Sequence, residues 1–116
     1  MMNDHVRHML DVIETSYADR ITLHTLSATL NRQSAYLGQL FRKEVGMTVR
    51  QCVTRVRLQR AASLIREGVK IEAVALTVGY RSKKNFYRQF KREFCTTPSQ
   101  FGRRPSPGET QPLPAA

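Results

Sequence analysis

Apolar residues recur along this chain at helical spacing, and turn residues divide the stretches they define. Over residues 6–18, Val6, Met9, Leu10, Ile13 and Tyr17 fall on one stripe of a helix. Thr22 is a good N-cap for a second helix with Leu23, Leu26 and Leu30 inward. Asn31 follows, a residue that tolerates positive φ. A third helix is predicted from Ser34 to Val45, burying Tyr36 or Leu37 together with Leu40 and Phe41, with Gly46 as its C′ residue. Residues 48–67 read as one long helix, opened by a Thr48/Gln51 capping box and stopped at Gly68. A short helix from Ile71 leads to Gly79, and Ser82 then caps a helix to Phe94 with Phe86, Phe90 and Phe94 inward. Thr97, Pro98 and Gln100 form a second capping box with Pro at the first helical position, so a last short helix is predicted, anchored by Phe101. Residues 105–116 are rich in Pro and lack apolar periodicity, the pattern of a disordered tail.

The pattern is written twice. Leu26, Leu30 and Asn31 fall on Val74, Val78 and Gly79 at an offset of 48. One residue is then inserted, and Leu37, Phe41, Arg42, Lys43, Glu44 and Thr48 fall on Phe86, Phe90, Lys91, Arg92, Glu93 and Thr97 at an offset of 49. A repeat identifies the structural unit. Here it is a short apolar helix, a turn that accepts positive φ and a second helix with a basic outer face, which is a helix-turn-helix. The long helix between the copies changes sides. At ~100° per residue, Val49, Cys52, Val53 and Val56 cluster on one side, and Leu58, Ala61, Ala62 and Ile65 roughly opposite. A helix buried on different faces at its two ends suits a bridge. The expectation is an all-α fold of about seven helices, with two helix-turn-helix subdomains joined by a long central helix. The first lobe covers about 5–47, the linker helix 48–67 and the second lobe about 70–102, within a domain of 5–104.

Charge then narrows the partner. The net charge is +10 and the pI about 10.5. Residues 1–31 hold two Arg against four acids, whereas residues 32–104 hold seventeen Lys/Arg against four acids. A basic surplus this concentrated points to a polyanion, with nucleic acid ahead of an anionic membrane surface. No apolar run reaches spanning length, the amino terminus lacks a signal-peptide core, and no membrane association is expected. Cys52 and Cys95 stand apart, without a CxxC, as two reduced thiols of a cytosolic protein do. His5 and His8 have no third ligand near them, so no metal is expected. No Ser/His/Asp grouping, phosphate loop or carboxylate pair suggests catalysis, and no cofactor is expected. The acidic face of the first helix (Asp4, Asp11, Glu14 and Asp19) is either solvated or a contact for a partner protein.

In a helix-turn-helix, the solvent face of the second helix meets base edges in the major groove. On the first such helix those positions are Ser34, Ala35, Gly38 and Gln39, with Arg42 and Lys43 toward the phosphates. On the second they are Lys83, Lys84, Asn85 and Arg88, flanked by Arg81, Lys91 and Arg92. Arg88 suits guanine and Asn85 adenine, each bidentately, for ~1–3 kcal/mol of discrimination per pair. Gln39 is the one long polar reader of the first unit, and Ala35 suits a thymine methyl. A bridge of about twenty residues spans ~30 Å, close to the ~34 Å of one DNA turn. Both reading helices could therefore enter successive major-groove segments from one protomer.

Residues 57–98 (RLQRAASLI, IEAVALTVGY, NFYRQFKREF and TTP) resemble the signature of the AraC/XylS family of bacterial transcription regulators, and YLGQLFRKEVG resembles that family's first recognition helix. The resemblance covers roughly 5–104. It implies seven helices, two lobes joined by the fourth helix, and activation through contact with RNA polymerase. Carried over by position, it puts base contacts on Ala35, Gln39, Lys84, Asn85 and Arg88. Three features depart from the pattern. Cys95 stands where Gly is common, Gln33 is a poor N-cap where Ser is common, and no ligand-binding or dimerisation domain accompanies the repeats. The last favours a short stand-alone type acting as a monomer, or an excised domain. The reading that follows is a sequence-specific double-stranded-DNA-binding regulator, an activator, cytoplasmic and nucleoid-associated. The alternative is a nonspecific architectural or RNA-binding basic protein.

Overall fold

A computed structural model describes residues 2–103; the Pro-rich segment 105–116 lies outside the described residues. Seven helices and no strand occur among them: α1 (Asp4–Ser16), α2 (Leu23–Leu30), α3 (Ser34–Val45), α4 (Val49–Arg66), α5 (Ile71–Thr77), α6 (Lys83–Phe94) and α7 (Pro98–Gly102). The fold is therefore all-α, with two helix-turn-helix units, α2–α3 and α5–α6, joined by the long α4.

The repeat is kept down to its caps. The Thr48 and Thr97 hydroxyls accept from the amides of Gln51 and Gln100, whose side chains accept from the Thr48 and Thr97 amides in return, closing two equivalent capping boxes. The turns correspond as well. Asn31 sits at φ 54 after α2, and Gly79 at φ 103 after α5. Gly46 (φ 86) and Cys95 (φ 59) close α3 and α6 in the left-handed region. Gln33, by contrast, makes no side-chain cap bond to α3.

Two apolar cores lie along α4. The first gathers Val6, Met9 and Ile13 of α1, Leu26, Leu37 and Phe41 of the first unit, and Val49, Cys52 and Val53. The second gathers Leu58, Ala61, Ala62 and Ile65 with Val74, Phe86 and Phe90 of the second unit and Phe101. The change of side between Val53 and Leu58 lets one unbroken helix of 18 residues serve both cores. Repeat partners are buried alike: Leu37, Phe41, Phe86 and Phe90 are all fully inaccessible. The second core is the more aromatic, with Phe90 4.6 Å from Phe94 and 5.4 Å from Phe101 between ring centroids.

One alternative is resolved here and one expectation is corrected. Of Tyr36 and Leu37, only Leu37 is buried; Tyr36 is 46% exposed, its ring edge-on to His5. Gly38 does not face solvent as a reader would. A Cβ there would stand 3.0 Å from Leu23 Cδ1, so this position faces α2.

Candidate nucleic-acid interface

Each second helix of a unit presents one polar stripe opposite its buried stripe. On α3, Ala35, Gln39 and Arg42 are exposed, at i, i+4 and i+7, while Leu37 and Phe41 face the core. On α6 the repeat-equivalent positions are Lys84, Arg88 and Lys91, all exposed, opposite Phe86 and Phe90. Lys43 and Arg92 extend the stripes at the last turns, where cations also complement the helix dipole. Ser34 is half-buried at the first position of α3, and Arg81 is exposed just before α6.

Not every candidate is equally free. Lys83 Nζ is 2.9 Å from Glu72 Oε1 on α5 and lies 5.6 Å from the Tyr87 ring centroid, so it points back over its own unit. The hydrogen bond from Lys83 holds the Glu72 carboxyl below its ordinary pKa, and the same contact raises that of Lys83. Asn85 is half-buried. Its Oδ1 accepts from Arg88 Nη2 at 2.7 Å and from Gln89 Nε2 at 3.3 Å. The two side chains best suited to bidentate reading thus hold each other in place.

Sequence reasoning passed over several groups. Tyr36, treated as possible core, is the repeat equivalent of Asn85 and is exposed on α3; the offset of 49 was the signal that could have found it. A cleft of about 720 Å³ opens between the units, beside Asn85 and the start of α2. Arg20, Arg50, Arg57 and Arg81 line it, and no acidic residue does. These arginines are scattered in sequence, and only the fold assembles them. Among the described residues no three His, Cys, Asp or Glu side chains gather as a metal group would require, and no helix is long and apolar enough to cross a membrane.

Two helix-turn-helix units on one strut, each with a basic outward stripe, define a DNA-binding domain. Comparison with known proteins agrees. The family profile of a helix-turn-helix domain matches residues 26–104. The RCS-specific HTH-type transcriptional activator RclR of Escherichia coli is 36% identical over 84 residues, which are 72% of this chain and 30% of that protein. The C-terminal domain of AraT, a response regulator from Geobacillus stearothermophilus, superposes with a TM-score of 0.86 at 26% identity, over 95% of this chain and 93% of that one. A probable AraC family transcriptional regulator from Rhodopseudomonas palustris gives a TM-score of 0.76 at 27% identity, over 85% and 94% of the two chains. The chain belongs to the AraC-type helix-turn-helix family of transcription regulators. The relatives named here are transcription activators or regulators by name. The chain spans only about a third of the curated relatives it matches, 37%, 30% and 32% of three of them.

Proposed function

We propose that this chain is a sequence-specific double-stranded-DNA-binding regulator that inserts α3 and α6 into successive major-groove segments of one duplex. The observation that carries the reading is the equivalence of the two exposed stripes, Ala35/Gln39/Arg42 and Lys84/Arg88/Lys91, on units joined by an unbroken α4. At 18 residues, α4 is ~27 Å long, within reach of the ~34 Å that separates successive turns of the groove.

In this reading Arg88 and Asn85 read bases in the second unit, with Lys84 beside them. Gln39, Ala35 and Ser34 read in the first, where Tyr36 adds an amphipathic contact at the groove edge. Lys83, tied to Glu72, serves the backbone sooner than a base. Arg42, Lys43, Arg81, Lys91 and Arg92 hold phosphates, and Arg20 and Arg50 extend that set into the interlobe cleft. The working domain is 5–104, with the linker helix between two lobes as drawn from the sequence. One protomer supplies both reading helices, so it binds as a monomer. Output by activation, through contact with RNA polymerase, is the reading that the activators among its relatives favour. A regulator of this kind works in the cytoplasm, on the nucleoid.

Titration with a selected duplex and its scrambled counterpart, over a range of salt, tests the reading. A regulator keeps a preference of about 10³-fold or more at physiological salt. Equal binding to both sequences, falling together as salt rises, would instead identify a nonspecific, counterion-driven binder.

A further inference from the structure

The segment between α1 and α2 touches both units, and a single side chain of α4 holds it there. The last turn of α1 carries no basic residue, so its final carbonyls lack the cation that commonly completes a helix end. Arg57 supplies one from a distance of 40 residues: its Nε donates to the Tyr17 carbonyl at 2.6 Å. Its Nη2 donates to the Asp19 carbonyl at 2.8 Å. The same guanidinium lies 5.6 Å from the ring centroid of Tyr80, which is buried in the second core. Tyr17 itself packs against that second core, although Val6, Met9 and Ile13 of the same helix belong to the first. The turn of the second unit closes the arrangement. A Cβ on Gly79 would stand 2.6 Å from the Ala18 carbonyl oxygen, so this turn and residue 18 meet backbone to backbone.

The mechanical consequence follows from where these contacts sit. A helix resists stretching but can curve gently along its length, so α4 alone sets the distance between the units better than their angle. A second attachment away from the α4 axis turns a bendable rod into a triangle. We propose that Arg57 is a positioning residue for DNA recognition: by gripping the Tyr17 and Asp19 carbonyls it fixes the angle between the two helix-turn-helix units, and so sets the half-site separation that the protein accepts. The inference rests on the reading that α3 and α6 enter the same duplex. Arginine is required because its planar fork reaches two carbonyls at once, whereas lysine offers one point of charge.

The advantage of two linked binding events over one is typically ~10²–10⁴-fold and vanishes when geometry forbids both. Each base pair inserted between half-sites moves the second by about 3.4 Å along the axis and about 35° around it. The test therefore measures the affinity of the wild-type protein, Arg57→Ala and Arg57→Lys on duplexes whose two half-sites are separated by the selected spacing and by one or two base pairs more or fewer. A duplex with one half-site serves as reference. The wild type shows one sharp optimum. Both variants lose about tenfold or more at that spacing, bind the neighbouring spacings as well as the original, and match the wild type on the single half-site. If Arg57→Ala does not melt cooperatively, Arg57→Lys, which keeps the charge and the stem, carries the comparison. A sharp optimum retained by the folded variants overturns the role of Arg57 alone. So does an equal loss at every spacing and on the single half-site, which a merely structural role would produce. A wild type indifferent to spacing overturns the two-unit reading and this inference with it.

Discussion

Cys95 closes α6 at φ 59, in the place that Gly46 holds at φ 86 at the end of α3. An L residue in this conformation costs about 1–2 kcal/mol, which glycine avoids at the expense of a looser unfolded chain. Cys95→Gly should stabilise the protein by about 0.5–1 kcal/mol, seen as a melting midpoint a few degrees higher. A lower midpoint would mean that the exposed thiol makes contacts worth more than the strain. The left-handed conformation was readable in advance because the repeat places Cys95 opposite a glycine. The exposure of Tyr36 was not. Residues 36 and 37 are neighbours on a helix surface, and which of them is buried depends on where α1 and α2 approach α3. Gly38, placed on the solvent face with Ala35 and Gln39, differs for the same reason: α2 approaches there and brings Leu23 close.

At the level of elements, the periodicity of apolar positions together with the capping and turn residues was enough to place all seven helices and both turns. Most boundaries carry a local cause, such as the Thr48 and Thr97 boxes, Ser82 capping α6 through Asn85 N, and the positive-φ residues, whereas α3 and α5 start without a side-chain cap. What the elements do with their polar faces needed the fold. Glu44 and Glu93 are repeat equivalents, yet Glu44 accepts from the backbone of Asn3 while Glu93 pairs with Arg55 of α4 at 3.6 Å. On α6, Arg88→Ala should weaken binding and relax the preference at one base pair by ~1–3 kcal/mol, whereas Lys91→Ala weakens all sites alike and lowers the salt slope by about one. Because Arg88 donates to Asn85, Asn85→Ala should disturb the same base pair, and the double variant should lose less than the two singles combined. Selection of binding sites by each variant measures this. Uniform losses on every sequence would remove Arg88 from the readers.

For the whole molecule, the question is how two small units act as one. The unit cores are joined along α4, with the 17–19 turn as a further tie, so the continuity of α4 matters as much as either core. Thr54 lies in α4 between Val53 of the first core and Leu58 of the second, and Thr54→Pro removes a helical hydrogen bond and forces a kink at a cost of about 3 kcal/mol. The affinity ratio between a two-half-site and a one-half-site duplex should then fall toward one in the folded variant. An unchanged ratio would show that the units are held by something other than α4.

The sequence by itself determined the helices, their caps, the repeat, the change of side in α4 and the basic stripes. Apart from the repeat, which shows in the offsets of 48 and 49 residues, these are set by local propensity and by spacing within single helices. Only the tertiary structure decided the pairing of Arg57 with Tyr17 and Asp19, the grouping of Arg20, Arg50 and Arg81 around one cleft, and the diversion of Lys83 to Glu72. Those contacts join residues from different elements, and no periodicity within one helix records which neighbour a long charged side chain will find.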